Sequence, residues 1–267
     1  MMRFEFHYKR SFTRSYGSIE RNITCTLGLF SVSNNFIISS SEEEFTEKAS
    51  ALIRTKMEEI LERTGSCVLA LSGGSTPRKV YNKLGGMDLD WDRIKLIQVD
   101  ERWVPYDDSS NNARMIEQEM GRTIMRMRTD GSLTSSAEYY EQGLQKLLHS
   151  LGKEKLDLIV LGMGADGHSA SIFPDIPDFE NYVQRIEGKL VVAHKVPSQG
   201  MWRVTLTPYT LSQSTHTVLL LKGEEKGKTF ASALNSNDCM RFPVLMCLSE
   251  DTTTVLDSAA YENLKFS

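Results

Sequence analysis

Asp166 and His168 lie two residues apart in the glycine-rich stretch LGMGADGHSASIFP (161–174). Histidine can gain or lose a proton near neutral pH, and a neighbouring carboxylate can orient its ring or bind a ligand hydroxyl. The stretch follows an apolar run, 156–161, which predicts a buried strand. Because α/β proteins present reactive groups where such strands end, the pair predicts an active site whose His168 can exchange a proton.

The same turn spells G-x-G-x-x-G over 162–167, the pattern of a dinucleotide-binding fold. That fold also requires a long helix after the turn and an acidic residue at the end of the next strand. Here Pro174 interrupts any helix, and Glu187 precedes the next predicted strand instead of ending it. The nucleotide interpretation is therefore disfavoured.

A second glycine turn, SGGSTP (72–77), follows the apolar run Cys67–Leu71. Gly73 and Gly74 let backbone N–H groups approach a ligand, and Ser75 and Thr76 add hydroxyl donors. Thr76 is a candidate N-cap, with Pro77 as the first helical residue. Since a helix N-terminus attracts anions, the pattern predicts a phosphate-binding turn. An ordinary turn between a strand and a helix is the alternative.

Further polar side chains follow other predicted elements. Asp100 and Arg102 come directly after a predicted strand at 94–99, and Asn112 lies at the start of a predicted helix. Arg203 and Lys226 are candidate cations for an anionic ligand. The histidines and cysteines show no metal-ligand spacing and no C-x-x-C pair, so no metal site is predicted.

Apolar strand-like runs alternate with runs of helical spacing from position 35 onward. Strands are predicted at 67–71, 94–99, 156–161, 190–194, 203–206, 216–221, 244–248 and 252–256. Helices are predicted from the capping box of Ser41 and Glu44 to Gly65, after Thr76, at 111–120, from a capping pair of Ser135 and Glu138, from Glu224, and at 257–264. Strands separated by helices form parallel sheets that helices cover on both faces. The predicted fold class is therefore α/β, a single domain with a largely parallel, Rossmann-like sheet.

Composition narrows the possible partners and compartments. The 267 residues carry a formal net charge of −4, which argues against nucleic acid as a partner. No apolar run reaches the roughly 20 residues that cross a bilayer. Buried free thiols in a reducing compartment are expected for the cysteines, which favours the cytoplasm. Residues 1–35 are Arg- and Ser-rich with only two acids, and are interpreted as an N-terminal extension: an organelle-targeting segment, a disordered arm or an extra hairpin.

Five motifs together resemble the 6-phosphogluconolactonases, in the same order along the chain. They are LSGGSTP (71–77), DERWVP (100–105), LGMGADGHSASIFP (161–174), RVTLTPYTL (203–211) and GEEK (223–226). The resemblance covers about 36–264 and implies a catalytic domain over 36–267. It implies hydrolysis of 6-phospho-D-glucono-1,5-lactone to 6-phosphogluconate, in the oxidative pentose phosphate pathway, with a small-molecule substrate and no cofactor; partner proteins are not predicted.

The resemblance also implies roles for individual residues. His168 would be the catalytic base, and Asp166 would support it or bind a sugar hydroxyl. The substrate and its phosphate would be held by Gly73, Gly74, Ser75, Thr76, Asp100, Arg102, Asn112, Gly164, Arg203 and Lys226. Two positions depart from the lactonase pattern: Asp175 stands where a Gly is usual, and Asn111 where a Ser is usual.

Two other functions are weighed against this one. The related glucosamine-6-phosphate isomerases/deaminases carry a Glu five residues after the His of the turn, where this chain has Phe173. A phenyl ring cannot transfer a proton, which disfavours isomerase chemistry. A non-catalytic sugar-phosphate sensor is the third possibility, and the Asp166–His168 pair argues against it.

Overall fold

Nine strands and nine α-helices lie within residues 36–264, the part of the chain that the computed structural model describes. The strands are Phe36–Ser39 (β1), Cys67–Leu71 (β2), Ile94–Gln98 (β3), Asp100–Arg102 (β4), Leu158–Gly162 (β5), Val191–Val196 (β6), Met201–Leu206 (β7), His216–Leu221 (β8) and Thr252–Asp257 (β9). The helices are Glu42–Thr64 (α1), Arg78–Gly85 (α2), Asn112–Met120 (α3), Leu133–Ser150 (α4), Phe179–Arg185 (α5), Pro208–Ser212 (α6), Glu224–Ser236 (α7), Val244–Cys247 (α8) and Ser258–Glu262 (α9). The predictions made for 1–35 lie outside the described residues.

Six of the strands form one sheet in the order β1-β9-β8-β5-β2-β3, and every pairing in it is parallel. Leu71 at the end of β2 lies opposite Gln98 of β3 and opposite Val160 of β5. Parallel pairing therefore brings the turns that follow these three strands to one edge. The predicted α/β fold class is confirmed.

The two faces of this sheet bury different halves of each strand. In β2, Cys67, Leu69 and Leu71 pack with α1 and α2 on one face, while Val68 and Ala70 pack with α4 and α7 on the other. This alternation follows from the period of two in a strand, and it requires apolar residues on both faces. The sequence of β2 is consequently a continuous run of apolar residues and not an alternation of apolar and polar ones.

A second sheet, with the order β4-β7-β6, is antiparallel and was not expected from the sequence. The chain leaves the parallel sheet at Val99, whose carbonyl oxygen accepts a hydrogen bond from Leu206 N at 2.8 Å. Only the residues 197–200 connect β6 to β7. A connection that short can join antiparallel strands but not parallel ones, which need a crossover of a dozen residues or more.

Three local expectations differ from the structure. The apolar run 244–248 was expected as a strand but contains helix α8, because short apolar runs suit either element. Helix α4 is capped by Ser132, whose Oγ accepts from Ser135 N, and not by Ser135 and Glu138. Pro77, not Thr76, is the N-cap of α2 and provides no side-chain hydrogen bond.

The cysteines agree only in part with the expectation of free thiols. Cys67 and Cys247 are buried and free, and burial raises the pKa of the Cys247 thiol to about 12. Cys239 is disulfide-bonded, so the expectation is wrong for it. Among the helices of residues 36–264, none combines the length and apolar character that crossing a membrane would require.

Buried His194 of β6 connects α5 to the segment after the predicted catalytic turn through hydrogen bonds at both of its ring nitrogens. Its Nε2 lies 2.7 Å from the Ser171 carbonyl oxygen, and its Nδ1 lies 2.8 Å from the Tyr182 hydroxyl. Because a carbonyl oxygen can only accept, Nε2 carries the proton and Nδ1 accepts from Tyr182. Burial lowers the pKa of His194 to about 4, so the imidazole is neutral in the folded protein at neutral pH.

His194 should therefore make the protein sensitive to acid. Between pH 6.5 and about 4 the unfolded chain takes up this proton while the folded protein does not. The free energy of unfolding should fall over that window, by at most about 3 kcal/mol from this residue. The variant His194→Gln can keep one donor and one acceptor but cannot titrate. Its melting temperature, measured from pH 7.5 to 4, should fall less steeply than that of the wild type, whereas parallel curves would assign the acid sensitivity to other groups.

Candidate active site

The turns that follow β2, β3 and β5 enclose one cavity of about 330 Å³. All but one of the site residues predicted from the sequence line it. They are Gly73, Gly74, Ser75, Thr76, Asp100, Arg102, Asn112, Gly164, His168, Arg203 and Lys226. Asp166 is not a lining residue and acts on the cavity through its contact with His168.

The Asp166–His168 pair has the geometry of an oriented base. Asp166 Oδ1 lies 2.5 Å from His168 Nδ1 and also accepts from the His168 backbone N–H at 3.2 Å. Partial burial raises the pKa of Asp166, but the hydrogen bonds and charge of His168 outweigh it, so the pKa lies below its ordinary value. The ionised carboxylate holds a proton on Nδ1, which leaves Nε2 as the basic nitrogen.

Packing fixes the position of the His168 ring. On one side it stacks on Phe173, with ring centroids 3.8 Å apart and planes inclined by 20°. At Gly164 a side chain of any kind would overlap the His168 ring and the Asp166 carboxylate. The Gly164 N–H also donates to the His168 carbonyl oxygen at 2.9 Å. The Asp166–His168 pair therefore requires a glycine at this position.

Two contacts from distant parts of the chain and one within the turn anchor the turn that carries this pair. Thr229 Oγ1 of α7 donates to Ala165 O at 2.7 Å, and Ser169 Oγ donates to Gly162 O at 2.8 Å. At the start of α8, Val244 N donates to Gly167 O at 2.9 Å. Gly167 itself has a φ of +85°, which favours glycine. Such support holds reacting groups in place before a ligand arrives.

The turn after β2 is shaped to approach a ligand with its backbone. Gly74 has a φ of +104°, and Gly73 lies so close to the Asn112 side chain that no Cβ fits between them. Because Thr76 does not cap α2, its hydroxyl is not committed to the helix. The Ser72 hydroxyl is buried without a hydrogen-bond partner among the described residues. It also lines the cavity, and sequence reasoning missed it.

Three cations face the cavity in different ways. Arg203 is only 5% exposed; its Nη1 lies 3.7 Å from Asp100 Oδ2, and its buried Nε has no partner among the described residues. Lys226 makes no hydrogen bond or ion pair with any described residue, and burial lowers its pKa below the ordinary value. Arg102 is partly committed, because Nη1 donates to Ser110 O at 2.7 Å. Arg203 and Lys226 therefore have donor capacity left for an anion.

Asp100 connects several motifs at the cavity. Its carboxylate Oδ2 accepts a hydrogen bond from Ser171 Oγ at 2.6 Å, and its backbone oxygen accepts one from Asn112 Nδ2 at 3.0 Å. The departure at Asn111 preserves local structure, since Asn111 Oδ1 caps α3 by accepting from Arg114 N at 2.9 Å. Asn and Ser are both strong N-caps.

Glu101 is a buried residue of the site region that sequence reasoning did not select. Its Oε1 accepts from Asn112 N and Arg102 N, each at 2.8 Å, and its Oε2 accepts from Ala113 N at 2.9 Å and Gln98 Nε2 at 2.6 Å. Burial raises the pKa of Glu101 to about 7, against the effect of these four hydrogen bonds. Glu101 thus fixes the start of α3, from which Asn112 reaches the cavity.

Comparison with known proteins shows which family the chain belongs to. Residues 40–256 match the model of the family described as glucosamine-6-phosphate isomerases/6-phosphogluconolactonase. The chain belongs to this family. A 6-phosphogluconolactonase of Xylella fastidiosa is 34% identical over 196 residues, which cover 70% of this chain and 80% of the relative. The family predicted from the five motifs is confirmed.

Solved structures of the family have the same fold. The 6-phosphogluconolactonase of Thermotoga maritima superposes with a TM-score of 0.70 at 27% identity, covering 83% of this chain and 99% of that one. The enzyme of Shewanella baltica superposes with a TM-score of 0.72 at 26% identity, covering 84% of this chain and 97% of that one. Nearly the whole length of each of these two relatives is matched by this fold.

The variant Glu101→Gln should destabilise the protein at pH 8, above the pKa of that carboxyl. Each carboxylate oxygen accepts two hydrogen bonds, so the amide of Gln must turn its own N–H groups toward two of the four donors. We expect the free energy of unfolding, measured by urea titration, to fall by about 3 kcal/mol. The exposed Glu138→Gln on α4 is the matched control and should change it by less than about 0.5 kcal/mol. A similar small effect at Glu101 would mean that α3 is fixed by other contacts.

Proposed function

We propose that this protein hydrolyses 6-phospho-D-glucono-1,5-lactone to 6-phosphogluconate, a step of the oxidative pentose phosphate pathway. One observation carries the proposal: the oriented His168 base and a set of anion-binding groups line the same cavity. A lactone with a phosphate at its other end needs both. The names of the related proteins support the same substrate.

In the proposed mechanism, His168 Nε2 removes a proton from a water molecule as its oxygen attacks the lactone carbonyl carbon. The carbonyl oxygen becomes an oxyanion, which backbone amides of 162–167 stabilise; those of Gly164 and Gly167 are excepted, because they already donate to the carbonyl oxygens of His168 and Gly164. The C–O bond to the ring oxygen then breaks, and the imidazolium returns its proton to that oxygen. Water has been added across the ester bond, the product is a carboxylic acid with a new hydroxyl, and His168 is neutral again. Asp166 stabilises the imidazolium formed between the two steps.

The phosphate is assigned to the turn of Gly73, Gly74, Ser75 and Thr76, together with Arg203 and Lys226. Backbone N–H groups at glycines and at the start of a helix suit phosphate oxygens. Arg203 binds through two parallel donors, while Lys226 provides a point charge. Asp100, Arg102, Asn112 and Gly164 complete the substrate-binding set of this proposal. No metal or cofactor takes part in it.

Phe173 is the residue that separates this proposal from an isomerase or deaminase. Its ring is 2% exposed and stacks on His168, so the position offers no group that could move a proton on an open sugar. A non-catalytic sugar-phosphate sensor is disfavoured by the Asp166–His168 pair. Binding alone needs no proton-transfer group, and still less one that is oriented by a carboxylate.

A single set of assays on the purified full-length chain tests the three functions. Hydrolysis of 6-phosphogluconolactone is followed by acid release and compared with an enzyme-free blank, because the lactone also opens in water. Formation of fructose 6-phosphate from glucosamine 6-phosphate is measured in parallel. Lactone hydrolysis above the blank supports the proposal, steady deamination would replace it with the isomerase function, and binding of 6-phosphogluconate without turnover of either substrate would indicate a sensor.

The variant His168→Ala should lower kcat by about 10²–10⁴-fold, the usual contribution of general acid–base catalysis. Binding of the product, measured by calorimetry, should stay close to that of the wild type, since the phosphate site does not include His168. The remote His149→Ala on α4 serves as the control for removing an imidazole. A His168→Ala enzyme with wild-type kcat would remove His168 from the mechanism.

The variant Lys226→Ala should weaken binding of the phosphorylated substrate. Loss of a hydrogen bond to a charged group costs about 1.5–3 kcal/mol, which should appear in KM for 6-phosphogluconolactone but hardly in that for 1,5-gluconolactone. Lys228, two residues along α7, is exposed and pairs with Glu224, so Lys228→Ala is a matched control. Equal losses on both lactones would mean that Lys226 supports the sugar or the fold instead.

We also propose the domain organisation and compartment that the sequence suggests. Residues 36–267 would form the catalytic domain, with 1–35 as an N-terminal extension. The enzyme would act in the cytoplasm, or in an organelle if the extension is a targeting segment. The proposal is supported by the family match, which begins at residue 40, after the extension.

A further inference from the structure

The loop between β6 and β7 brings one more polar side chain to the cavity. It contains a single 3-10 turn, Pro197–Gln199, which ends at Gly200 with a φ of +62°. Gln199 lines the cavity, and its Oε1 accepts a hydrogen bond from Arg203 Nη2. None of the five motifs includes Gln199, and it has no role in the mechanism described above.

An aspartate from another part of the chain holds this loop in place. Asp175 Oδ2 accepts a hydrogen bond from Ser198 N at 2.7 Å. Asp175 follows Phe173 by two residues, and Phe173 stacks on the His168 ring. Asp175 is also one of the two positions at which this chain departs from the lactonase pattern. The departure therefore adds a contact between the segment after the catalytic turn and the loop that carries Gln199.

The remaining donors around Gln199 are arranged for an anion. With Oε1 engaged by Arg203, the Gln199 Nε2 group has two N–H bonds and no partner among the described residues. The neighbouring Arg203 Nε is buried and also unpartnered within 36–264. Arg203 in turn faces the Asp100 carboxylate through Nη1. A ligand oxygen beside Arg203 would meet donors from both side chains.

We propose that Gln199 is a specificity-determining residue that binds the substrate phosphate beside Arg203, and that Asp175 is the positioning residue that holds the Gln199 loop over the cavity. The inference rests on the proposed lactonase function, because the phosphate is that of the lactone. Gln199 orients the Arg203 guanidinium through Oε1 and donates to the anion through Nε2. Asp175 acts only through Ser198 and touches no substrate.

Replacing Gln199 by Glu distinguishes a phosphate-binding role of this residue from a purely structural one. Glu has nearly the same shape and would pair with Arg203 more strongly than Gln does. It would hold the loop at least as well, but it would neutralise Arg203 and present a negative charge to the phosphate. A residue that only supported the loop would tolerate Glu, whereas a phosphate-binding residue would not.

The experiment measures KM and kcat of Gln199→Ala and Gln199→Glu on 6-phosphogluconolactone and on 1,5-gluconolactone. For the phosphorylated lactone we expect KM to rise about tenfold in Gln199→Ala, as for a lost hydrogen bond to a charged group. It should rise further in Gln199→Glu, because like charges repel. KM for 1,5-gluconolactone and kcat for both should change less than twofold. A Gln199→Glu enzyme with wild-type KM, or equal losses on both lactones, would overturn the proposal.

Asp175 is tested with one variant that keeps a side-chain acceptor for Ser198 N and one that removes it. Asp175→Asn keeps a side-chain oxygen for Ser198 N and should retain wild-type KM. Asp175→Gly removes the acceptor and should raise KM for the phosphorylated lactone about three- to fivefold, in line with the loss of one hydrogen bond. Lys195→Ala, at an exposed position of β6, controls for changes in the same hairpin. If Asp175→Asn and Asp175→Gly behave alike, Asp175 does not position Gln199.

A binding measurement separates this inference from the proposed function. Absence of wild-type hydrolysis above the blank would remove the lactonase function alone. Calorimetric titration of the same variants with 6-phosphogluconate and with gluconate would still report on Gln199. Selective loss of affinity for the phosphorylated compound in Gln199→Glu is expected in either case, and unchanged affinity would contradict the role of Gln199 whether or not the wild type turns over.

Discussion

The site depends on a single buried carboxylate, that of Asp100, at the point where the chain passes from the parallel sheet to the antiparallel one. It accepts from Ser171 of the catalytic turn at 2.6 Å and faces Arg203 of β7 at 3.7 Å. A buried ion pair adds little stability by itself, but removing one partner leaves an uncompensated charge that costs about 3–5 kcal/mol. Asp100, Ser171 and Arg203 belong to three different motifs, and these contacts hold the motifs in one arrangement. If Ser171 or Arg203 moved away from Asp100, a buried donor or charge would be left unsatisfied.

The contacts of Asp100 and Ser171 link the antiparallel sheet to the cavity. β7 carries Arg203 to the cavity, and β6 beside it carries His194, whose Nε2 donates to the backbone of Ser171. The carboxyl edge of the parallel sheet carries His168, the proposed base, and the turn to which the phosphate is assigned, at the edge where many α/β folds bind ligands. The antiparallel sheet carries Arg203 and the loop of Gln199 to the same cavity. The cavity is therefore lined by residues that both sheets position.

Much of this arrangement could be predicted from the sequence, and the exceptions have physical causes. Strands β2 and β8 lie where apolar runs predict them, because buried parallel strands are apolar on both faces. The glycine turns are recognisable since Gly73 and Gly164 leave no room for a Cβ and Gly74 and Gly167 have positive φ. Glu101 and Gln199 could not be selected, because each owes its position to contacts with residues distant in sequence or to a loop without a local pattern. The short run 244–248 suits a strand or a helix by its apolar residues alone, and its hydrogen bond to Gly167 is a contact that a local pattern does not show.

Phe173 illustrates how the family's two chemistries exclude each other at one position. The ring does more than omit the Glu that the resemblance implies for the isomerases. It forms the stacking surface of His168, and the Arg203 guanidinium lies 5.8 Å from its centroid. A carboxylate there would remove the surface that orients the base and would place a negative charge near the cation assigned to the phosphate. It would also require desolvation of a charge at a position that is now buried and apolar. The change of a single residue would therefore disturb the base and the phosphate site together, so conversion between the two activities needs compensating changes around both.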